Sequence, residues 1–443
     1  MRGAEERMRH RILRLPVFLA AVVLAVWAGN LIVRHFLATS LIAYGEDGET
    51  RARAAAWAPG NPEVLGAQGK YLLYRAEPPR MAEGIAALEA AARLTPRDYR
   101  FALELGRAYE EAGDAARAEA ALGQAAEMAP RHFDVRWARG NFLLRAGRVE
   151  AALEEFRQAI RLSGREAPQE RATLNIYNGI AGALSDWREA VRRVTPPDEA
   201  SQAYLAGFYA GRGELEGALE IWRRLPESES EVARNLSVQM LAGLGAAGRF
   251  AEAREVWARL LRALRLPPAE GLLSNGGFER PPAGEALPAL INPGLGFDWI
   301  VRKHPEVRIS RTRYEKHGGS WALQIVFPAS MSMGFDHAMQ TAAVEPGRRY
   351  RLRFFARQRN VPAEEARAPY VELVDALEPA RLTERLRLPA GETDWRAHEI
   401  LFTAPAGTRG VRVAIRNPQV LLIDPTRIPE IWFDDFSLET IEQ

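Results

Sequence analysis

Three patterns of hydrophobic and polar positions succeed one another along the chain. The first is an uncharged run, Leu15 to Val33, entered from a segment that holds Arg2, Arg7, Arg9, Arg11 and Arg14. The second, from Arg51 to Leu266, sets apolar residues three and four apart among Ala, Leu, Glu and Arg, which predicts helices with one buried stripe each. The third begins after Pro267-Pro268, where alanine thins and proline and glycine increase. There the segments 321–327, 349–356, 398–402, 411–415 and 431–438 alternate with the period of strands that bury one face. Several such strands over about 170 residues imply a β-sandwich. The predicted fold class is multidomain α + β: a single transmembrane helix, an all-α solenoid, then an all-β sandwich.

Inside the helical region, the stretch from Tyr99 to Glu166 repeats its punctuation at an offset of 34 residues. Gly106 recurs as Gly140, Gly113 as Gly147, Ala118 as Ala152 and Leu122 as Phe156; Ala126 recurs as Ala159, one step short of register, and Pro96 precedes Pro130 by the same 34. A small residue in a first helix, a glycine turn, and an alanine with a large apolar residue in a second helix at this period resemble the tetratricopeptide repeat. The resemblance implies helical hairpins stacked into a superhelix, an architecture that binds partners and rarely performs chemistry. Upstream, Ala87 to Pro96 matches the second helix of an earlier unit whose first helix is expected near Pro62 to Tyr74, with Pro78-Pro79 in its turn. Downstream, Gly213 and Gly248 mark two further units, with Tyr209, Ala218 and Trp222 around the first and Leu244, Ala253 and Trp257 around the second. Between the sets, Ala167 to Pro197 has the length of a hairpin but no glycine turn, and reads as a unit that is degenerate or bent by Pro196-Pro197. About six units result, where an independent solenoid needs three or more. Trp137, Tyr204, Trp222 and Trp257 read as core residues rather than as aromatics that grip a peptide. The inner groove of such a solenoid takes an extended peptide or a helix of a protein partner.

The leading run of about 19 apolar residues is close to the roughly 20 that span a hydrocarbon core as a helix. The arginine excess before it predicts a cytoplasmic amino terminus and a periplasmic or otherwise extracytoplasmic bulk. The alternative is a cleaved signal peptide with a small-residue site at Val26-Trp27-Ala28, against which Leu31-Ile32-Val33 continues the apolar run. The expected organisation is a cytoplasmic arginine-rich tail over 1–14, a transmembrane signal anchor over 15–40, the solenoid over 45–266 and the sandwich over 270–443. Past the bilayer, Phe36 to Tyr44 predict a continuation of the helix as a stalk.

The sandwich has landmarks of its own. Leu273-Ser274-Asn275-Gly276-Gly277-Phe278-Glu279 opens it, followed by Gly296-Phe297-Asp298-Trp299, His317-Gly318-Gly319-Ser320, Gln340-Thr341, the turn Glu345-Pro346-Gly347-Arg348-Arg349-Tyr350, Asp394-Trp395 and the closing Ile431-Trp432-Phe433-Asp434-Asp435-Phe436-Ser437-Leu438. In this order they resemble the jelly-roll modules of carbohydrate-binding families four and nine, within the galactose-binding-like group. The resemblance implies a structural calcium held by the opening glutamate and the closing aspartate, here Glu279 and Asp435 with Asp434 as the alternative; oxygen ligands distant in sequence suit that hard cation. It also implies sugar binding, which needs an exposed aromatic platform beside amides or charges. Trp321 shares parity with Leu323, Ile325 and Phe327 and reads as inward, and Trp299 and Trp395 occupy positions the family uses structurally. Tyr314, Phe335, His337, Gln340 and Tyr370 are the sugar-binding candidates. The stretch from Met331 to His337 reads as an edge strand able to pack on the helical region.

Composition narrows the function. The 59 basic and 57 acidic residues nearly cancel, so no net field draws the chain to nucleic acid. Cysteine is absent, which excludes disulfides, thiolate metal sites and cysteine nucleophiles. No zinc-type histidine pair, phosphate-binding glycine loop or serine elbow occurs, and adjacent acids such as Glu364-Glu365 or Asp434-Asp435 lack the separation glycoside hydrolysis requires. The reading is a non-catalytic adaptor in the inner membrane whose solenoid binds a protein and whose sandwich meets a polysaccharide, in envelope polysaccharide assembly or export. The alternative is a purely structural scaffold of a secretion or pilus-type complex whose sandwich binds no sugar.

Overall fold

The uncharged run lies inside one long helix, α1 (Arg2–Tyr44), whose segment Val17–Tyr44 is apolar enough to cross a membrane, a property shared by anchors and signal sequences. A computed structural model describes residues 2–45, 47–163, 169–268, 271–282, 297–302, 307–327, 334–363, 368–418 and 428–442, with side chains from Val17 onward. Gly296, Met331 to Met333 and Glu364-Glu365 lie outside the described residues.

Thirteen further α-helices follow among the described residues: α2 (Gly48–Trp57), α3 (Pro62–Tyr74), α4 (Met81–Leu94), α5 (Tyr99–Glu111), α6 (Ala115–Met128), α7 (Phe133–Arg145), α8 (Val149–Leu162), α9 (Gln169–Ala183), α10 (Trp187–Val194), α11 (Glu199–Gly211), α12 (Leu215–Arg224), α13 (Glu231–Ala246) and α14 (Phe250–Ala263). From α3 to α14 they pair into six hairpins. The starts are written in the sequence: Asn61, Asp98, Asp114, Asp198 and Ser230 each accept a backbone N–H of the helix they precede. The turns are written there too, because Gly113, Gly147, Gly213 and Gly248 take φ between 70° and 80°, a left-handed conformation that side chains resist.

Inside each hairpin the repeated small residue permits close crossing. A Cβ on Gly106 would stand 2.6 Å from Leu122, and one on Gly140 would stand 2.6 Å from Phe156, so the two repeats use one contact with different partners. Neighbouring units are also tied by charge: Arg145 pairs with Glu110 at 2.7 Å, Arg148 with Glu119 at 2.8 Å, and Arg193 with Glu150. Trp222 and Trp257 are buried, as core residues should be, whereas Trp137 and Tyr204 are only half-buried.

The chain forms two compact units, Met1–Pro196 and Pro197–Gln443. The first contains α1 to α10. The second contains α11 to α14 together with the strands, so the last two hairpins share a unit with the sheets. Phe250 of α14 lies against Gly410, and Leu377 lies 2.9 Å from the Cβ position of Gly248.

The strands are β1 (Ile300–Val301), β2 (Arg308–Thr312), β3 (Ala322–Val326), β4 (Phe335–Ala343), β5 (Arg349–Val361), β6 (Tyr370–Asp375), β7 (Thr383–Arg387), β8 (Gly391–Thr403), β9 (Gly410–Asn417) and β10 (Glu430–Ile441). They make two five-stranded antiparallel sheets, β1-β4-β9-β6-β7 and β2-β3-β10-β5-β8. Alternation decides the faces. On β5, Tyr350, Leu352, Phe354 and Ala356 point into the core while Arg351, Arg353, Phe355 and Arg357 point out. The core centres on an aromatic cluster in which Trp299, Phe278, Phe354 and Phe436 meet with ring centroids 4.9 to 6.1 Å apart.

Two expectations change. β4 pairs with β9 from Phe335 to Ala343 but with the two-residue β1 only at Ala338 and Met339. The edge expected over 331–337 therefore holds for Phe335 and Asp336, continues as an interior strand beyond them, and in 331–333 lies outside the described residues. Trp321 is half-buried and outside the core: it precedes β3, so the parity of that strand does not govern it, and Arg311 and Arg313 lie over its ring at 4.1 and 4.3 Å.

Candidate functional site

In the first unit, the first helices of successive hairpins line a groove. A cavity of 370 Å³ opens between α3, α5 and α7, bordered by Lys70, Leu103, Glu104, Arg107, His132 and Asp134. Tyr99 and His132 pack ring to ring at 4.7 Å on its wall. Acids and bases alternate here, so the groove suits a peptide or helix carrying both signs of charge.

In the second unit, the opening segment and the closing strand meet at one corner. Gly276 lies so close to the carbonyl of Phe436 that no side chain fits there. A bulge in β10 between Asp434 and Ser437 puts Asp435 at φ 51° and aims Asp434 and Asp435 at the loop 313–320. Asp434 Oδ2 accepts the amides of His317 (2.8 Å) and Gly318 (3.1 Å), and Glu279 Oε1 accepts those of Ser320 (2.7 Å) and Trp321 (3.1 Å). Asp435 Oδ2 meets His317 Nδ1 at 2.7 Å. Burial pushes the Asp434 carboxyl up to about 6, with neighbouring Asp435 adding to the rise, while the two amides oppose it.

The three carboxylates named for calcium therefore share one corner. The Cβ position of Gly277 lies 3.4 Å from Asp435 Oδ1, 3.6 Å from Asp434 Oδ1 and 3.7 Å from Glu279 Cγ, a small space walled by acid that a side chain would fill. Among the described residues no three acids or histidines already stand as a metal-binding group. Backbone amides hold these carboxylates in the arrangement seen, and the donor set is the hard-oxygen kind that suits calcium.

Beside this corner, on the outer face of β2-β3-β10-β5-β8, the half-buried rings of Phe355 and Trp395 gather with the exposed His317. His317 stacks on Phe355 with centroids 3.6 Å apart and 15° between planes, and Trp395 of β8 stands 5.8 Å from His317. Polar groups surround them. Arg353 lies over Phe355 at 5.0 Å, Arg357 pairs with Glu315 at 2.7 Å, and Asp394 is 3.7 Å from Arg357. Phe355, Arg353, Asp435, Glu279 and Glu439 line a groove of 760 Å³. Rings flanked by fixed charges along a groove can stack on the apolar face of a sugar and hydrogen-bond its hydroxyls.

The five sugar-binding candidates do not converge. Tyr314 is 97% exposed and lies in the loop that carries Glu315 and His317. The other four belong to the opposite sheet. Gln340 is buried and clasps Ser274, accepting its amide at 2.6 Å and donating to its carbonyl at 2.9 Å. His337 is buried in the β4 bulge against Phe327 and Phe335. Phe335 is half-buried against the core. Tyr370 is 7% exposed, with Arg385 and Arg387 over its ring at 5.6 and 5.1 Å.

Around Tyr370 runs an ion-pair row that the alternation of β6 does not reveal. Buried Glu372 receives Arg385 at 2.6 Å and Arg416 at 2.7 Å, and Arg416 also pairs with Asp336 at 2.7 Å. Burial raises the Glu372 carboxyl, but hydrogen bonds from Arg416 and Arg385 outweigh it and hold the group below its ordinary range. The signal was a single glutamate inside the apolar run 370–375. Phe355 and Trp395 were missed as a platform for a different reason: Phe354-Phe355 is an aromatic pair of which only one can face inward, and the family position of Trp395 suggested a structural role.

Comparison with known proteins bears on the helical part first. Residues 67–127 and 103–170 match the family model for the tetratricopeptide repeat. The stretch 67–170 is a tetratricopeptide array. None of the curated proteins matches the chain. Among solved structures, MamA protein is 16% identical, with TM-score 0.30, over 38% of this chain and 91% of that one. A family 16 carbohydrate-binding module is 15% identical, with TM-score 0.21, over 30% of this chain and 84% of that one. The enzymatically active domain of tailspike protein 4 of bacteriophage CBA120 is 14% identical, with TM-score 0.27, over 39% of this chain. The chain spans only 21% of that tailspike's length.

Proposed function

We propose that the chain is a non-catalytic adaptor, anchored in the cytoplasmic membrane by α1 with its bulk on the far side. Its tetratricopeptide groove holds a protein partner and its sandwich holds a glycan, a pairing suited to envelope polysaccharide assembly or export. The observation that carries the glycan reading is the stack of His317 on Phe355, with Trp395 beside it, along a groove bordered by Arg353, Asp435 and Glu279. On this reading the sugar lies on the outer face of β5 and β8 rather than at Tyr370, which is 7% exposed. A calcium ion at the adjacent corner would be held by Glu279, Asp434 and Asp435, whose hard oxygens suit it, and would supply positive charge among the three acids and tie the opening segment to β10.

The test is a glycan microarray probed with the whole chain in detergent, with calcium present. Binding to a polysaccharide that is lost in Phe355→Ala supports the adaptor. Failure to bind any polysaccharide leaves the structural scaffold as the better account.

A further inference from the structure

The helix α1 does not stop at the membrane boundary, and what packs on its far end is set by named contacts. Its side chains from Val17 to Val33 are exposed, as a lipid-facing surface would be, whereas Ala38 is fully buried. Ala38 packs with Ala54, Ala58 and Val64, and Leu41, Ile42 and Ala55 join the same cluster. The loop after Tyr44 is short, so α2 runs back along α1. Over its 10 residues it descends about 15 Å. The end of that descent is fixed by Asn61, whose Nδ2 lies 3.3 Å from His35 Nδ1 and 3.4 Å from Thr39 Oγ1. Trp57 and Ala58 are thus returned to the level of His35, two residues beyond the end of the uncharged run.

The second hairpin brings more groups to the same rim. α3 starts at this level, so its antiparallel partner α4 ends there, with exposed Leu94 and Arg97 in the turn that follows. Arg100 at the start of α5 pairs with Glu63 at the start of α3, which confirms that these ends lie side by side. Trp57 is 43% exposed and Phe36 is 69% exposed. Tryptophan favours the bilayer interface, where an apolar ring meets polar headgroups, and arginine favours lipid phosphate.

Taking α1 as a span, which rests on the anchor reading above, we infer that the rim formed by Trp57, Leu94 and Arg97 sits in the headgroup layer of the leaflet that α1 leaves. The first repeats then stand on the membrane with their helices along the direction of α1. The groove between α3, α5 and α7 is held at a fixed height above the lipid, so a partner enters it along the membrane surface.

Because the chain has no cysteine, single labels test this directly. The variants Val26→Cys, Tyr44→Cys, Trp57→Cys and Leu94→Cys are made in the full chain, labelled with a nitrobenzoxadiazole dye and reconstituted into phosphatidylethanolamine–phosphatidylglycerol vesicles. Quenching is read with nitroxide lipids labelled at the headgroup or in the acyl chain, and with aqueous iodide. The expected result is acyl-chain quenching at position 26, headgroup quenching with loss of iodide access at 57 and 94, and full iodide access at 44. Iodide access at 57 and 94 equal to that at 44, with position 26 still quenched by acyl nitroxide, overturns the rim while leaving the anchor intact. Iodide access at position 26 overturns the anchor and the rim together.

Discussion

Asp375 provides a sharp test of how the second unit is held together. It ends β6 with its side chain 2% exposed, and it accepts four donors: Thr408 Oγ1 at 2.7 Å, the amides of Leu377 at 2.8 Å and Glu378 at 2.9 Å, and Arg381 Nη1 at 2.8 Å. These bonds shape the turn that sets Leu377 against Gly248 of the last helical hairpin. In Asp375→Asn, one oxygen still serves the two amides, but an NH2 group replaces the oxygen that accepts from both Arg381 and Thr408. The charge-assisted bond from Arg381 is lost, worth about 1.5–3 kcal/mol at neutral pH, and the Thr408 hydroxyl must turn to accept instead of donate. Burial raises the Asp375 carboxyl, yet the hydroxyl, the two amides and Arg381 outweigh it and keep the group below its ordinary 3.8. A carboxyl with a lowered folded value contributes stability that is complete above 3.8 and is lost as the pH falls through that folded value. Urea unfolding of the whole chain in detergent, followed by near-ultraviolet circular dichroism, should therefore give a gap between wild type and Asp375→Asn that is largest above pH 5 and narrows below 3.8. A gap of the same size at pH 6 and pH 3 would refute the assignment of the stabilisation to the charged carboxylate.

Two further outcomes are expected. Gly140→Ala should destabilise the repeats by about 1–3 kcal/mol through its clash with Phe156, whereas Gly123→Ala, in open space on α6, should stabilise them by up to about 1 kcal/mol, both read from urea midpoints of the helical transition. Equal effects at the two glycines would contradict the close crossing of α7 and α8. Calcium at about 100 times its dissociation constant should stabilise the sandwich by about 2.7 kcal/mol, and chelation should reverse the gain. A melting temperature unmoved by calcium, or a shift that persists in Glu279→Gln with Asp435→Asn, would remove the metal from the account.

The solenoid was legible because repeats punish substitution at a few geometric points. Gly106 and Gly140 must be small where helices cross, and Gly113, Gly147, Gly213 and Gly248 must turn left-handed, so their spacing alone gives the hairpins. The strands were legible from alternation over segments such as 349–356, where β5 buries Leu352 and Phe354 and turns Arg353 outward. The ligand face was much less so. Parity says which side of a strand a ring occupies, but it does not say what covers that side: Tyr370 faces outward and is closed over by Arg385 and Arg387, while His337 sits in a bulge where parity lapses. The corner of Glu279, Asp434 and Asp435 joins residues more than 150 positions apart, and only the resemblance of the opening and closing segments brought them together in advance.

The adaptor proposal assigns glycan binding to the aromatic cluster on β5 and β8. Isothermal titration of the whole chain with oligosaccharides of envelope polysaccharides, repeated with Phe355→Ala, Trp395→Ala and Tyr370→Phe, decides the matter. Loss of one stacking ring is expected to weaken binding about tenfold, or about 1.4 kcal/mol, in the first two variants and to leave Tyr370→Phe unchanged. Unaltered affinity in Phe355→Ala and Trp395→Ala, or no heat of binding with any oligosaccharide, would contradict it.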